Sequence, residues 1–123
     1  MLPRLDASLA RAREMGDRLS EGEILRQRAI VRARTAAPDW DAVKADFEDA
    51  IAIFEQIETM PYIARALRDY GLTLEAGGRI GEGQEKLSRA LKLFESLRMN
   101  MGDAELVATA ETRPGLSGDD SGE

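Results

Sequence analysis

The chain has 123 residues, of which 43% are apolar and 33% are charged, and its formal net charge at pH 7 is −6. This composition is typical of one soluble globular domain, and the acidic charge disfavours nonspecific binding to nucleic acid or anionic lipid. The chain has neither cysteine nor histidine, which excludes disulfides and thiolate chemistry and removes the commonest general base and metal ligand.

Apolar residues at helical spacing predict two helices in the first third of the chain. The first covers residues 3–15 and ends at Gly16. Ser20, followed three residues later by Glu23, has the form of a capping box and predicts the start of the second helix. Pro38 stops this helix, because proline cannot continue a helical hydrogen-bond ladder.

A third helix is predicted to begin at Asp39, a good N-cap residue, and to end at residues 59–61, where a proline follows. Trp40 and Tyr62 each stand at a predicted helix start. For both we expect packing across a helix junction, with a role as a binding aromatic as the alternative.

Residues 62–97 form the clearest unit of the sequence, a helical hairpin. Two apolar stripes at helical spacing are separated by a glycine-rich turn at residues 77–81, where a glycine can take the positive φ of a C-cap. Gly71 and Ala90 lie in these stripes, where a larger side chain would push the two helices apart.

The chain after the hairpin is predicted to turn at residues 100–103. A sixth helix then begins over residues 104–110, and the Gly, Ser, Asp and Pro residues of 112–123 predict a disordered tail. We therefore expect one helical domain over residues 1–111. Strands are not expected.

An internal repeat emerges when the sequence is shifted by about 40 residues. This shift lays residues 47–57 over residues 87–97, with identical or similar apolar residues at seven positions, and residues 23–36 over residues 63–76. The predicted fold is all-α, with antiparallel helix pairs stacked as a short right-handed solenoid.

These repeats resemble the tetratricopeptide repeat (TPR) family. The first helix of that family has a large residue, a large-small pair and a further large residue, and its second helix has a small, a large and a small one. The matching residues here are Leu67, Tyr70, Gly71 and Leu74, then Gly83, Leu87 and Ala90. The repeat period of about 40 residues and the sequence of residues 90–97 also resemble the divergent repeats that end large bacterial signal-transducing ATPases and transcriptional activators. This resemblance leaves open the alternative that the chain is a piece of a longer protein.

Two patterns that suggest chemistry have simpler explanations. The glycines of residues 78–83 with Lys86 suggest a phosphate loop, but the Gly-Lys-Ser/Thr motif is missing and no strand precedes them, which favours a turn. Asp46 and Asp49 suggest a shared proton or a metal site, but a solvated helix face is the preferred interpretation. We predict no metal site and no cofactor.

Four arginines form the candidate binding site: Arg28 and Arg32 on the second helix, and Arg65 and Arg68 on the fourth. In TPR proteins the first helix of each pair lines a concave groove, and guanidinium groups there would suit carboxylates of an acidic peptide. The alternative is simple pairing with nearby acidic side chains. Those side chains are Glu21, Asp69 and Glu75.

The predicted function is a protein-interaction scaffold that binds a protein or peptide partner through a concave helical groove. The alternative is a regulatory or sensor domain of a larger transcriptional or signalling protein that recognises an anionic ligand. We predict no enzymatic activity, because no nucleophile is paired with a base. We also expect a cytoplasmic location without a membrane segment, and self-association through apolar residues of the end helices. Those residues are Leu5, Leu9 and Met15, and Leu106 and Val107.

Overall fold

A computed structural model of the chain describes residues 1–101, which form five α-helices and no strand. The prediction of an all-α chain is confirmed. The helices are α1 (Leu2–Met15), α2 (Arg18–Ala33), α3 (Trp40–Gln56), α4 (Met60–Ala76) and α5 (Ile80–Met101). The predicted sixth helix over residues 104–110 and the predicted tail over 112–123 lie outside the described residues.

The start of α2 differs from the predicted capping box. Asp17 is the N-cap, and its carboxylate accepts hydrogen bonds from the backbone N–H of Ser20 at 3.1 Å and from the Ser20 hydroxyl at 2.7 Å. These two bonds lower the pKa of Asp17. The helix therefore begins three residues earlier than predicted, and it ends at Ala33, before Pro38 is reached.

The later helix ends follow the predicted chemistry in most respects. The carboxylate of Asp39 accepts a hydrogen bond from the N–H of Ala42 at 3.2 Å, so Asp39 is the N-cap of α3 as predicted. Pro61 lies in the first turn of α4, where its missing N–H costs nothing, and so belongs to the start of that helix. Gly78 takes a φ of 84° in the turn before α5, whereas Gly81 already belongs to α5.

Each helix packs against the next one in the chain, and α2 also contacts α4. The core lies between α2, α3 and α4. Its centre contains Phe47, whose ring stacks on that of Tyr70 with 4.7 Å between the centroids, and Phe54, whose ring lies 5.3 Å from that of Tyr62. Leu9 of α1 is also buried, so it is not part of an open apolar end as predicted.

Helices α4 and α5 approach each other closely where two glycines face each other. A Cβ atom on Gly71 would lie 2.7 Å from the carbonyl oxygen of Gly83, and a Cβ on Gly83 would lie 2.7 Å from that of Gly71. Neither backbone can move away without separating the helices. The expected close approach at Gly71 is confirmed, although its neighbour across the crossing is Gly83, while Ala90 is buried further along.

The buried hydroxyl of Tyr70 should make the free energy of unfolding depend on pH. It donates a hydrogen bond to Glu48 at 2.9 Å, and burial together with this carboxylate raises the pKa of Tyr70. Above pH 10 the unfolded chain loses the tyrosine proton while the folded chain keeps it, so the free energy of unfolding should fall as the pH rises through 10.

Denaturant unfolding followed by circular dichroism, at pH 8 and at pH 11, measures this effect. Tyr70→Phe is the matched control, because it keeps the ring and removes the titrating group. The wild-type chain should lose more stability over this interval than Tyr70→Phe does. Equal losses in the two proteins would show that Tyr70 does not contribute to the pH dependence.

Candidate functional site

Two of the four predicted arginines meet at one buried carboxylate. Arg28 donates from Nε and Nη2 to the two oxygens of Asp46, each at 2.9 Å, and Arg32 donates from Nε to the same carboxylate at 2.9 Å. A further bond of 2.9 Å joins Arg28 Nη1 to Asp6 of α1. The pairing with Asp46, opposed by partial burial, raises the pKa of Arg28. Arg28 and Arg32 therefore connect α2 to α3, and Arg28 also reaches α1.

The burial of Asp46 corrects the prediction of a solvated face. Its side chain is only 6% exposed, whereas Asp49 is exposed. The sequence contained a signal for this difference. Asp46 stands three residues after Val43 and four before Ala50, and therefore lies in the apolar stripe of α3. A carboxylate in such a stripe needs a cationic partner, which Arg28 and Arg32 supply.

The other two predicted arginines are exposed on α4 and have weaker contacts. The Arg65 guanidinium lies 5.1 Å from the centroid of the Tyr62 ring, and Arg68 Nε lies 3.3 Å from a carboxylate oxygen of its neighbour Asp69. The stronger partner of Asp69 is Arg26 of α2, at 2.7 Å. Among the described residues, no acidic partner is shared between this pair of arginines and Arg28 or Arg32.

The alternative, that the four arginines simply pair with acidic neighbours, is confirmed for Asp69 but not for Glu21. Arg68 pairs with Asp69 as that alternative proposed. Glu21 instead accepts from Arg13 at 3.0 Å and from Arg18 at 2.8 Å, two arginines outside the predicted site. Arg18 precedes Glu21 by three residues on α2, a spacing that the sequence shows. Arg13 belongs to α1, and its pairing with Glu21 depends on how α1 packs against α2.

A cavity of about 250 Å³ opens between α2 and α4. Its lining residues are Ile30, Ala33, Arg34, Trp40, Leu72, Thr73, Ala76 and Gly77. The lining is mostly apolar with one basic residue, which suits a side chain of a bound peptide. We call this cavity the α2–α4 groove.

Trp40 forms one wall of the α2–α4 groove and also joins two helices. Its ring packs against Gly77 so closely that a Cβ on that glycine would overlap it, and the Arg79 guanidinium lies 4.9 Å from the ring centroid. Trp40 therefore packs across a helix junction, as predicted. The sequence did not indicate that the same ring also borders a cavity.

A second cavity, of about 330 Å³, lies where the end of α3 meets α4 and α5. It is lined by Met60, Ile63, Leu67 and Leu93, with Glu55, Arg89 and Lys92 at its polar positions. None of the four predicted arginines borders it. It is therefore separate from the site that the sequence predicted.

Residues 1–101 contain no cluster of three or more acidic side chains placed to hold a metal ion. Within the same range, no helix combines the length and apolarity needed to cross a bilayer. The glycines that suggested a phosphate loop are divided between the turn, which contains Gly78, and the helix crossing, where Gly83 meets Gly71.

Comparison of this chain with protein-family models, with curated proteins and with solved structures gives no match. The resemblance to the TPR family therefore rests on the sequence pattern, and membership of that family stays a prediction.

Proposed function

We propose that the chain is a protein-interaction scaffold that binds an acidic peptide along the surface formed by α2 and α4. The observation that carries this proposal is the α2–α4 groove, an apolar cavity with one arginine, Arg34, in its lining. A peptide could place an apolar side chain in the cavity and its carboxylates near Arg34 and the exposed arginines of α4.

The proposed architecture is a TPR-like right-handed solenoid, in which α2 with α3 and α4 with α5 are successive hairpins. The contact between α2 and α4 supports it, since first helices of adjacent hairpins neighbour each other in such a stack. So does the close approach of Gly71 and Gly83, two positions that match small residues of the TPR pattern. The first helices begin 42 residues apart, at Arg18 and Met60, and the second ones begin 40 apart, at Trp40 and Ile80.

Charge is distributed unevenly among the arginines proposed to bind the peptide. Arg28 and Arg32 are paired with Asp46 and Asp6, which offset their charge. Arg65 lies on the same side of α4 as Leu72, which follows it by seven residues, and both are exposed. Arg34 borders the groove from α2.

Arg34 and Arg65 are therefore the residues we expect to attract the peptide most strongly, with Arg68 beside them and Arg28 and Arg32 contributing less. Because these contacts would be exposed and charge-assisted, binding should weaken as salt shortens the Debye length from about 10 Å at 0.1 M.

Calorimetric titration of two peptides at low and high salt tests the proposal. One peptide contains leucine among aspartates and glutamates, and the other carries asparagine and glutamine at the acidic positions. The acidic peptide should bind more tightly than the neutral one, and added salt should weaken the binding of the acidic peptide more than that of the neutral peptide. The double variant Arg34→Glu/Arg65→Glu should abolish the difference. Arg4→Glu/Arg11→Glu, which makes the same charge change at exposed positions of α1, should leave it intact.

Equal affinities for the two peptides, or an unchanged difference in the Arg34→Glu/Arg65→Glu variant, would contradict the proposal. Inorganic phosphate serves as a third ligand in the same titrations. If phosphate binds through Arg34 and Arg65 while the acidic peptide does not bind, the alternative of a small-anion sensor replaces the scaffold.

A further inference from the structure

One face of α5 is apolar and is only partly covered within residues 1–101. Because α3 and α5 begin 40 residues apart, their positions can be compared directly. The residues of this face are Ile80, Leu87, Leu91 and Phe94, and their counterparts in α3 are Trp40, Phe47, Ile51 and Phe54. We call the first set the α5 end face.

The counterpart face of α3 is covered by α4. Tyr70 of α4 stacks on Phe47, and Tyr62 lies against Phe54. Ile51 is only 8% exposed, whereas its counterpart Leu91 is 68% exposed. Ile80 is 48% exposed, and Leu87 and Phe94 are half-buried. The α5 end face thus repeats an interface whose second helix is not present in the described residues.

A cation of α4, Arg68, occupies the position in its hairpin that Arg26 occupies in the preceding one. Arg26 of α2 donates to Asp69 of α4 at 2.7 Å, and this pair joins the helix that covers α3 to the rest of the fold. Arg68 follows Arg26 by 42 residues, the distance that separates the starts of α2 and α4. The Arg68 side chain is 49% exposed, and its ion pair within residues 1–101 is with its own neighbour, Asp69.

The helix that fits this face can be sized from the internal counterpart. The helix that covers α3 is α4, which has 17 residues. From Ile80 to Phe94 the α5 end face measures about 21 Å along the helix axis, which corresponds to about 14 residues of an occupying helix. A helix of the length of α4 therefore matches the face.

We propose that the α5 end face binds an amphipathic α-helix of another protein. The partner helix places its apolar and aromatic side chains on Leu87, Leu91 and Phe94, as α4 does on α3, and it places a carboxylate near Arg68, as Asp69 is placed near Arg26. The apolar contacts give the affinity, and the charge pair sets the register of the helix. None of the α5 residues of this face lines the α2–α4 groove, and the inference does not depend on the groove binding a peptide. Arg68 is shared by the two proposals, whereas Arg34 and Arg65 belong to the first alone.

The probe for this surface is a synthetic, fluorescently labelled peptide with the sequence of residues 59–77, because α4 already fits the equivalent face of α3. Its matched control carries Asp69→Arg and Tyr70→Ser. Fluorescence anisotropy with the full chain should show saturable binding of the probe. We expect the control peptide to bind at least about tenfold more weakly, since it lacks both the aromatic contact and the carboxylate.

Variants of the full chain locate the binding. Leu91→Glu should weaken probe binding by about tenfold or more, and it should leave the fold intact because Leu91 is exposed. Arg68→Glu should weaken it by a smaller factor. Arg34→Glu/Arg65→Glu should leave it unchanged, which separates this surface from the α2–α4 groove. Binding that is absent in the wild-type chain, or unchanged in Leu91→Glu, would overturn the proposal.

Two further measurements distinguish the other occupants of the face. If the chain itself dimerises in analytical ultracentrifugation and Leu91→Glu makes it monomeric, the occupant is a second copy and the proposal is wrong. If Leu106→Asp/Val107→Asp in the full chain raises the affinity for the probe about tenfold, the occupant is the chain's own C-terminal segment, which also overturns it. Monomeric wild type and unchanged affinity in that variant support a partner helix.

Discussion

Replacing Phe54 with alanine is expected to lower the free energy of unfolding by about 3–5 kcal/mol. Phe54 is fully buried and contacts helices on both sides of α3. A Cβ on Gly22 of α2 would lie 2.5 Å from its ring, and the Tyr62 ring of α4 lies 5.3 Å away. Gly22 has no side chain that could fill the space, so the substitution should leave a cavity.

Equilibrium denaturation followed by circular dichroism measures the loss. Phe94→Ala is the matched control, because Phe94 is the counterpart of Phe54 in α5 and is only half-buried. Its loss should be clearly smaller. If Phe54→Ala cost less than about 1 kcal/mol, the packing of α3 between α2 and α4 would have to be different.

Replacing Asp46 with leucine should lower the free energy of unfolding by about 2–3 kcal/mol. The substitution leaves Arg28 and Arg32 without the carboxylate that holds them between α2 and α3. Removing one partner of a fully buried pair costs about 3–5 kcal/mol, but both guanidinium groups keep some contact with water, which reduces the penalty.

The control and the rescue for Asp46 come from the same region. Asp49→Leu changes an exposed carboxylate on the same helix and should alter stability by no more than about 0.5 kcal/mol. The triple variant Arg28→Met/Arg32→Met/Asp46→Leu should regain most of the lost stability, because it removes the unpaired charges. A triple variant as unstable as Asp46→Leu alone would show that the loss comes from shape and not from charge.

The helices could be predicted from the sequence because their signals are local. Apolar residues at a spacing of 3.6 identify each helix, Asp39 has the right geometry for an N-cap, and glycines mark the turn before α5. Gly71 was also predictable as a close approach, since a glycine inside a good helix has a cost that packing must offset.

The predicted helix boundaries were wrong in two situations: where two residues suit the same capping position, and where one residue suits the end of one helix and the start of the next. Asp17 and Ser20 are both good N-cap residues, and the sequence does not indicate which of them will accept the hydrogen bond. Pro61 could equally end α3 or begin α4, because proline suits both positions. Such choices depend on the direction in which the chain must leave the turn, which tertiary packing decides.

The candidate site was less predictable because its geometry depends on partners distant in sequence. Arg28 and Arg32 were expected to point into a groove with Arg65 and Arg68. Their pairing with Asp46, 14 to 18 residues away, depends on how α2 and α3 are rotated against each other. The α2–α4 groove arises from residues of three helices, and no local pattern indicates that Ile30, Trp40 and Leu72 meet there.

Trp40 fluorescence during titration with the acidic peptide tests the central claim most directly, because Trp40 is the chain's single tryptophan and borders the α2–α4 groove. We predict a saturable change in emission, with the same dissociation constant as calorimetry, that disappears in Arg34→Glu/Arg65→Glu and persists in Arg4→Glu/Arg11→Glu. Peptide binding detected by calorimetry without any change in Trp40 emission would place the peptide elsewhere and contradict the proposed groove.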